Sequence, residues 1–294
     1  MHTQGGRPGP ATAQAVAGGA VAQVLVGAGV AASATLLRGP YLVGESIRYA
    51  AASAVLTGVG AASGQRLRLP RGAEWLWLAG IATLGLLLFN VALVRGSASA
   101  APAALGVAVA CVPPVLSLVG PLMERRAPSA RILIAALMVT AGSVAVVGFG
   151  HTGPAGVAWA VVVFACEVAF TLLAVPVLGR HRAWGVSVHA TWMGAVGFGV
   201  LGFAFEGPSG FAMLSASDWA AIAYLAAGTT VTAFLLWYSC VSRIGAAKAG
   251  LLTGMAPVAA AVTGVILGGP APSVSVVAGI SVVVGGLAFG FARK

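Results

Sequence analysis

The sequence is short of charge, and of acid above all. Six of its 294 residues are Asp or Glu, charged residues of both signs make up 7%, and apolar residues make up 59%. A soluble domain carries roughly a quarter charged residues, so an ordinary soluble enzyme or scaffold is excluded. Cysteine is also scarce. Cys111, Cys166 and Cys240 all fall in apolar stretches, with neither the even count of a disulfide framework nor the paired spacing of a zinc site. They read as small packing residues. No H-E-x-x-H, G-x-S-x-G or G-x-x-x-x-G-K-[ST] pattern is present, and Lys248 is followed by Ala249. Metalloprotease, serine-hydrolase and direct ATP chemistry therefore lack their residues. Most of the acids and the four histidines lie at the ends of apolar runs, so no convergent acid/base set, metal site or cofactor is expected, and an intramembrane enzyme is a remote alternative.

What is present is apolar sequence in long runs. A membrane-crossing helix needs ~20 mostly apolar residues. Runs between polar or Gly/Pro breaks predict ten spans, near 15–37, 42–62, 73–94, 98–121, 130–149, 155–178, 184–205, 217–240, 246–267 and 273–292. Residues 1–14, Gly/Pro-rich and without the apolar core and cleavage site of a secretory signal, read as a disordered tail. The net charge of +10 does not point to nucleic acid, because the basic residues sit between the spans and act as orientation signals. With both termini inside, thirteen of the sixteen Lys and Arg residues are cytoplasmic: Arg7, Arg66, Arg68, Arg71, Arg125, Arg126, Arg131, Arg180, Arg182, Arg243, Lys248, Arg293 and Lys294. Arg38, Arg48 and Arg95 fall at or near the outer side, and the outer loops around His151, Glu206 to Asp218 and Gly268 to Pro272 carry no basic residue. Trp75, Trp77, Trp159, Trp184 and Trp219 lie near predicted helix ends, where indole rings anchor at the interface; Trp192 and Trp237 lie deeper.

A repeat runs through the chain. Ala127-Pro128-Ser129 recurs 144 residues later as Ala271-Pro272-Ser273, and the same shift takes Pro113 to Pro257, Gly142 to Gly286, Gly58 to Gly202, Arg38 to Arg182, and Glu74-Trp75 to Asp218-Trp219. Two halves, residues 15–150 and 151–294, are expected, each with five spans. An odd number puts the second copy into the membrane from the opposite side. Inverted repeats are characteristic of secondary transporters with a site near the bilayer midplane, although channels are built this way too.

The chain resembles the EamA-like branch of the drug/metabolite transporter superfamily over nearly its whole length. The resemblance rests on Arg48-Tyr49, on Pro113-Pro114 followed by Glu124-Arg125, on Ala256-Pro257-Val258 and on Gly245-Ala246-Ala247. It implies ten helices in two five-helix repeats and export of an amino acid, related metabolite or drug-like compound across the cytoplasmic (plasma) membrane, with flippase activity on a lipid-linked substrate as the alternative. The chain departs from the family at Gly268-Gly269, where relatives often have Gly-Glu. It departs again at Gln23 and Glu167, which stand where the family commonly has tryptophan. Those two are themselves 144 residues apart.

Glu167 is the most informative residue. It falls about midway along the sixth span, where an ionised carboxylate costs several kcal/mol unless it meets a partner or a wet cavity. It is expected to bind a proton or a cationic group of the substrate, against the plainer reading of a structural hydrogen bond. Gln23, its mate, either orients a polar substrate or holds helices together. Glu45 and Arg48, three apart on one helical face, form a local ion pair that either snorkels at the interface or marks a substrate carboxylate site. His189 is able to change charge near neutral pH or serves as a simple hydrogen-bonding group. Trp192, Trp237 and Tyr238 form an aromatic wall for an organic substrate, with core packing as the default. Pro113, Pro114 and Pro257 remove backbone donors inside the fourth and ninth spans, and matched breaks in two halves point to a transport route. Small-residue pairs at Gly286/Gly290 and Ala195/Gly199 let helices approach closely. The expected partners are thus a small-molecule substrate and the lipid bilayer. Proton coupling through Glu167 stands beside uncoupled facilitated diffusion.

Overall fold

The computed structural model describes residues 10–36, 39–100, 102–148 and 152–292. The first nine residues with Arg7, and Arg38, His151, Arg293 and Lys294, lie outside them, as does the Arg38–Arg182 pairing of the repeat. Within the described residues ten long helical segments follow one another: α1 Pro10–Leu36, α2 Tyr41–Ala62, α3 Glu74–Ser97, α4 Ala103–Met123, α5 Ala130–Val147, α6 Pro154–Leu172, α7 Val175–Phe205, α8 Ala216–Ile244, α9 Ala246–Ile266 and α10 Val274–Phe291. Nine of them are long and apolar enough to cross a membrane. The exception is α2, whose 22 residues include Glu45, Ser46 and Arg48. An apolar solvent leaves the backbone no partner but itself, which is why apolar runs of this length are helical throughout.

The expected boundaries shift in several places: α4 starts at Ala103 and not near 98, and α8 runs to Ile244 and not to 240. Helix α1 begins at Pro10, within the stretch 1–14 expected to lie outside the first span; proline is at home in a first turn, where its missing N–H would be unpaired anyway. Helix α6 ends at Leu172 instead of near 178, and α7 starts at Val175 with Pro176 in its first turn. The bend expected between these spans then falls inside α7, at Arg182 (φ 58°, ψ 174°).

Irregular turns interrupt four of the helices. A π-helical stretch occupies Ile81–Leu88 in α3, and another occupies Leu225–Thr232 in α8, 144 residues on. Helix α4 breaks at Cys111, with Pro113 and Pro114 in the turn that follows, where a missing N–H is tolerated. Helix α9 tightens to a 3₁₀ turn at Leu252–Gly254 shortly before Pro257.

The packing pairs α5 with α10, α2 with α7, α1 with α8 and α9, and α6 with α3 and α4. Glycine sets the closest approach. A Cβ at Gly142 would stand 2.7 Å from both the Gly279 carbonyl and the Val283 amide, and one at Gly290 would stand 3.0 Å from Ala135 Cβ. At the α2–α7 contact Trp184 lies across Gly60 and donates to the Leu56 carbonyl at 2.7 Å, so it joins helices as well as sitting near a helix end. Cys166 and Cys240 are buried, Cys240 against Gly19 on α1, while Cys111 is half-buried at the break in α4; all three are free thiols.

Candidate functional site

Buried acid is the organising problem of such an interior, and the six carboxylates solve it in two ways. Five are bound. Glu45 takes Arg48 Nη1 at 3.1 Å. Glu74 takes the Arg71 amide at 2.8 Å, Arg180 and His181 Nε2. Glu124 takes the Ala246 amide at 3.0 Å together with Arg126. Glu206 takes the amides of Leu42 and Val43, each at 2.9 Å, and Asp218 caps its own helix through Ser215. Glu167 is the sixth, and no described residue donates a hydrogen bond or pairs a charge to it.

Its position is interior. One turn before it on α6 stands Val163 and one turn after it Thr171, exposed 0% and 1%, whereas Val161 on the far face is 59% exposed. Glu167 itself is half-buried. One turn beyond it lies a packed aromatic group. Phe170 packs on Phe234 (5.0 Å between centroids) and Tyr238 (5.2 Å), Tyr238 donates to the Phe170 carbonyl at 3.4 Å, and Trp237 Nε1 donates to Thr171 Oγ1 at 3.2 Å. Gly85 in the α3 π stretch admits Phe170, since a Cβ there would stand 2.8 Å from its ring.

Trp237 and Tyr238 are packed in the buried core, 4% and 0% exposed, and Trp192 lies apart from them. Trp192 donates to His189 Nδ1 at 3.1 Å and borders a shallow groove of about 540 Å³ with Ala50, Ser53 and Thr57 on α2. A second opening, of about 600 Å³, is lined by Pro40, Glu206, Met213 and Asp218 at one end of the molecule; Glu167 lines neither. Gln23 is buried, with no hydrogen-bond partner among the described residues. It lies between Gly19 and Gly27, where α8 and α9 approach so closely that a Cβ at Gly19 would stand 2.7 Å from Leu252 and one at Gly27 2.8 Å from Ala259.

The Glu45–Arg48 pair does not snorkel. Both residues are buried, and Arg48 reaches across to α8, where Nε donates to Thr230 Oγ1 at 3.0 Å and Nη2 to Thr229 Oγ1 at 3.1 Å. Its guanidinium lies 4.9 Å from the centroid of the Tyr49 ring. Around it Asn90 joins Tyr49 and Tyr41, accepting from Tyr41 at 2.9 Å. These partners lie about forty or more residues away along the chain, and no local spacing announces them.

His189 is not isolated. Because Nδ1 accepts from Trp192, Nε2 carries the proton that goes to the Arg68 carbonyl at 3.0 Å. Its ring meets His181 edge-on at 5.3 Å. With Glu74 and Arg180 these residues form a polar cluster at the α7 bend that sequence reading missed; its one visible trace was Arg180-His181-Arg182 beside the basic loop 66–71. Among the described residues no group of His, Cys, Asp and Glu could hold a metal ion.

Together these features define a multi-pass integral membrane protein in which, among the described residues, Glu167 has no hydrogen-bond or ion-pair partner and stands one turn from a buried aromatic cluster. Residues 154–291 match the EamA-like transporter family. Over 213 residues the chain is 30% identical to an uncharacterized transporter, YetK, of Bacillus subtilis (strain 168), covering 69% of the chain and spanning 64% of that relative's length. A solved crystal structure of a protein superposes with a TM-score of 0.76 at 23% identity, covering 96% of this chain and 97% of the other, a likeness of fold. Residues 154–291 are thus similar to the EamA-like transporter family, and the likeness to YetK extends over 69% of the chain.

Proposed function

We propose that the chain is a secondary transporter of the plasma membrane that exports a small organic solute by alternating access, with Glu167 as the group in the central cavity that takes up a proton or a cationic part of the solute. The fold reading behind it is ten spans, α2 included, in two inverted five-helix repeats, residues 15–150 and 151–294, with both termini inside. Several features support that reading. The π stretches, and the bounds of α5 and α10, recur at the 144-residue offset of the sequence repeat. The packing of α1 on α8 and α9 is matched by that of α6 on α3 and α4. Breaks at Pro113, Pro114 and Pro257 fall in equivalent helices, as transporters with a midplane site have them. The match of residues 154–291 to the EamA-like transporter family and the YetK likeness favour transport over catalysis.

The observation that carries the proposal is the solitary state of Glu167, because a carboxylate kept in a membrane interior without a partner is expensive and is retained for function. Tyr238, Trp237 and Phe170 supply an apolar wall beside it. Gln23 faces the interior from the other half with an amide able to donate and accept. The test is counterflow of amino acids and of cationic drugs in proteoliposomes at two pH values. Glu167→Gln, inserted at normal levels, is expected to cut the rate at least tenfold or to abolish its pH dependence. Unchanged rate and pH dependence would rule the assignment out.

A further inference from the structure

Each π stretch lies where one half crosses the other, and the two crossings are built from opposite chemistry. At the first, α2 meets Leu225–Thr232, and Arg48 is bonded to Thr229 and Thr230 while Glu45 holds its remaining terminal nitrogen. Among the described residues these are the only fully buried side-chain hydrogen bonds that join a side chain before residue 150 to one after it. The Thr229 hydroxyl gives its proton to the Leu225 carbonyl at 2.8 Å, which leaves its lone pairs facing the guanidinium. At the second crossing α7 meets Ile81–Leu88. The residues 144 positions away are Trp192 for Arg48, and Gly85 and Leu86 for the two threonines. Contact there is Leu86 and Leu87 over Gly194 and Gly197, with Cβ positions 3.0 and 2.5 Å from leucine methyls.

These contacts respond differently to movement. Leucine over glycine loses dispersion gradually and can slide. A guanidinium–hydroxyl bond depends on direction and weakens steeply once distance or angle is lost, and in a low-dielectric interior a donor left open is costly. At the second crossing the polar ties sit nearer the end of the molecule, in Glu74, Arg180 and His181, and not at the π stretch. Wide π turns accompany functional sites in helices, and here one of a matched pair is pinned and the other is not.

We infer that Arg48, Thr229 and Thr230 form a latch that holds the α2–α8 end of the cavity shut, and that it parts each time that end opens. The inference rests on the alternating-access reading, in which the two ends open in turn. Arg48 is on this account a positioning residue and not a substrate ligand.

The test is hydrogen–deuterium exchange by mass spectrometry on the full chain in lipid nanodiscs with no solute added. Thr229→Val/Thr230→Val keeps side-chain shape and removes both acceptors; Thr229→Ser/Thr230→Ser keeps them. The valine pair is expected to raise exchange at least tenfold in residues 41–49 and 225–232 and to slow it at least twofold in 63–74 and 175–189, since opening one end closes the other. Residues 130–147 and 274–291 stay as in wild type, and the serine pair stays within twofold of wild type throughout. Arg48→Lys keeps the charge beside Glu45 but not the fork, gives the same pattern in smaller measure, and carries the test if the valine pair does not accumulate. The latch is overturned if residues 41–49 and 225–232 exchange as in wild type, if the opposite end loosens with them or does not change, or if serine acts like valine. Because no solute is present, the outcome stands apart from the flux measured for Glu167→Gln.

Discussion

Residues 130–147 and 274–291 form helices with identical bounds at the 144-residue offset, and the π stretches 81–88 and 225–232 do the same, yet the polar side chains buried within the helices have unlike mates. Gln23 stands against Glu167, Glu45 against His189, Arg48 against Trp192, and Thr229 against Gly85. The backbone of such a bundle is dictated by apolar length and by where small residues allow contact, and both halves satisfy that with interchangeable residues. Charge has no such freedom, because each buried ion needs its own partners. One half therefore holds an ion pair bonded across to the other, and the other half holds the open carboxylate. The teaching is that the halves share a frame and divide the chemistry.

The division can be tested from its largest effect down. Moving the carboxylate to its mate, Gln23→Glu with Glu167→Gln, should not rescue the at least tenfold loss of counterflow expected of Glu167→Gln alone, because position 23 is shut in between Gly19 and Gly27 while position 167 is half-open. Recovery to wild-type flux would make the halves equivalent and remove the distinction. Gly142→Ala places a methyl against the Gly279 carbonyl and Val283 amide, and should cost on the order of 1–3 kcal/mol as overpacking does, read from thermal unfolding in detergent; Gly286→Ala should cost a similar amount, since its Cβ would meet Val139 and Met138 at 3.0–3.1 Å. Glu206→Gln, which weakens the acceptor for the Leu42 and Val43 amides, should cost about 1 kcal/mol, in the range of a lost cap. Smallest is a reversal of sign between mates. Gly58 has nothing within 4 Å of its would-be Cβ, while Gly202 has Val43 at 3.1 Å. Alanine should stabilise the first by about 0.5 kcal/mol and destabilise the second, and equal shifts of the two unfolding temperatures would contradict the packing described.

Much of the frame was legible because its determinants are local. Apolar runs bounded by Gly, Pro or charge placed most helix ends within a few residues, and Glu167 stood out as a carboxylate in mid-run with no orientational duty. The site was less legible, for a physical reason in each case. Arg48 was visible, but its threonine partners stand more than 180 residues away. Trp192 was grouped with Trp237 and Tyr238 by residue type, whereas it faces the α2–α7 groove. His181 escaped notice because its bond to Glu74 depends on the bend at Arg182. The π stretches carry no proline and no distinctive residue, since widening a helical turn by one residue needs only room beside it.

The carboxylates at helix ends bear on how the chain is made. Glu206 serves amides at residues 42 and 43, and Glu124 serves the amide of Ala246, so each half ends helices that belong to the other. A nascent chain of 150 residues has two α2 amides still waiting for an acceptor that the ribosome has not yet added, and backbone groups left open beside lipid are costly. The start of α2 is in that sense finished from outside its own half, since its two amides gain their acceptor only once residue 206 stands beside them.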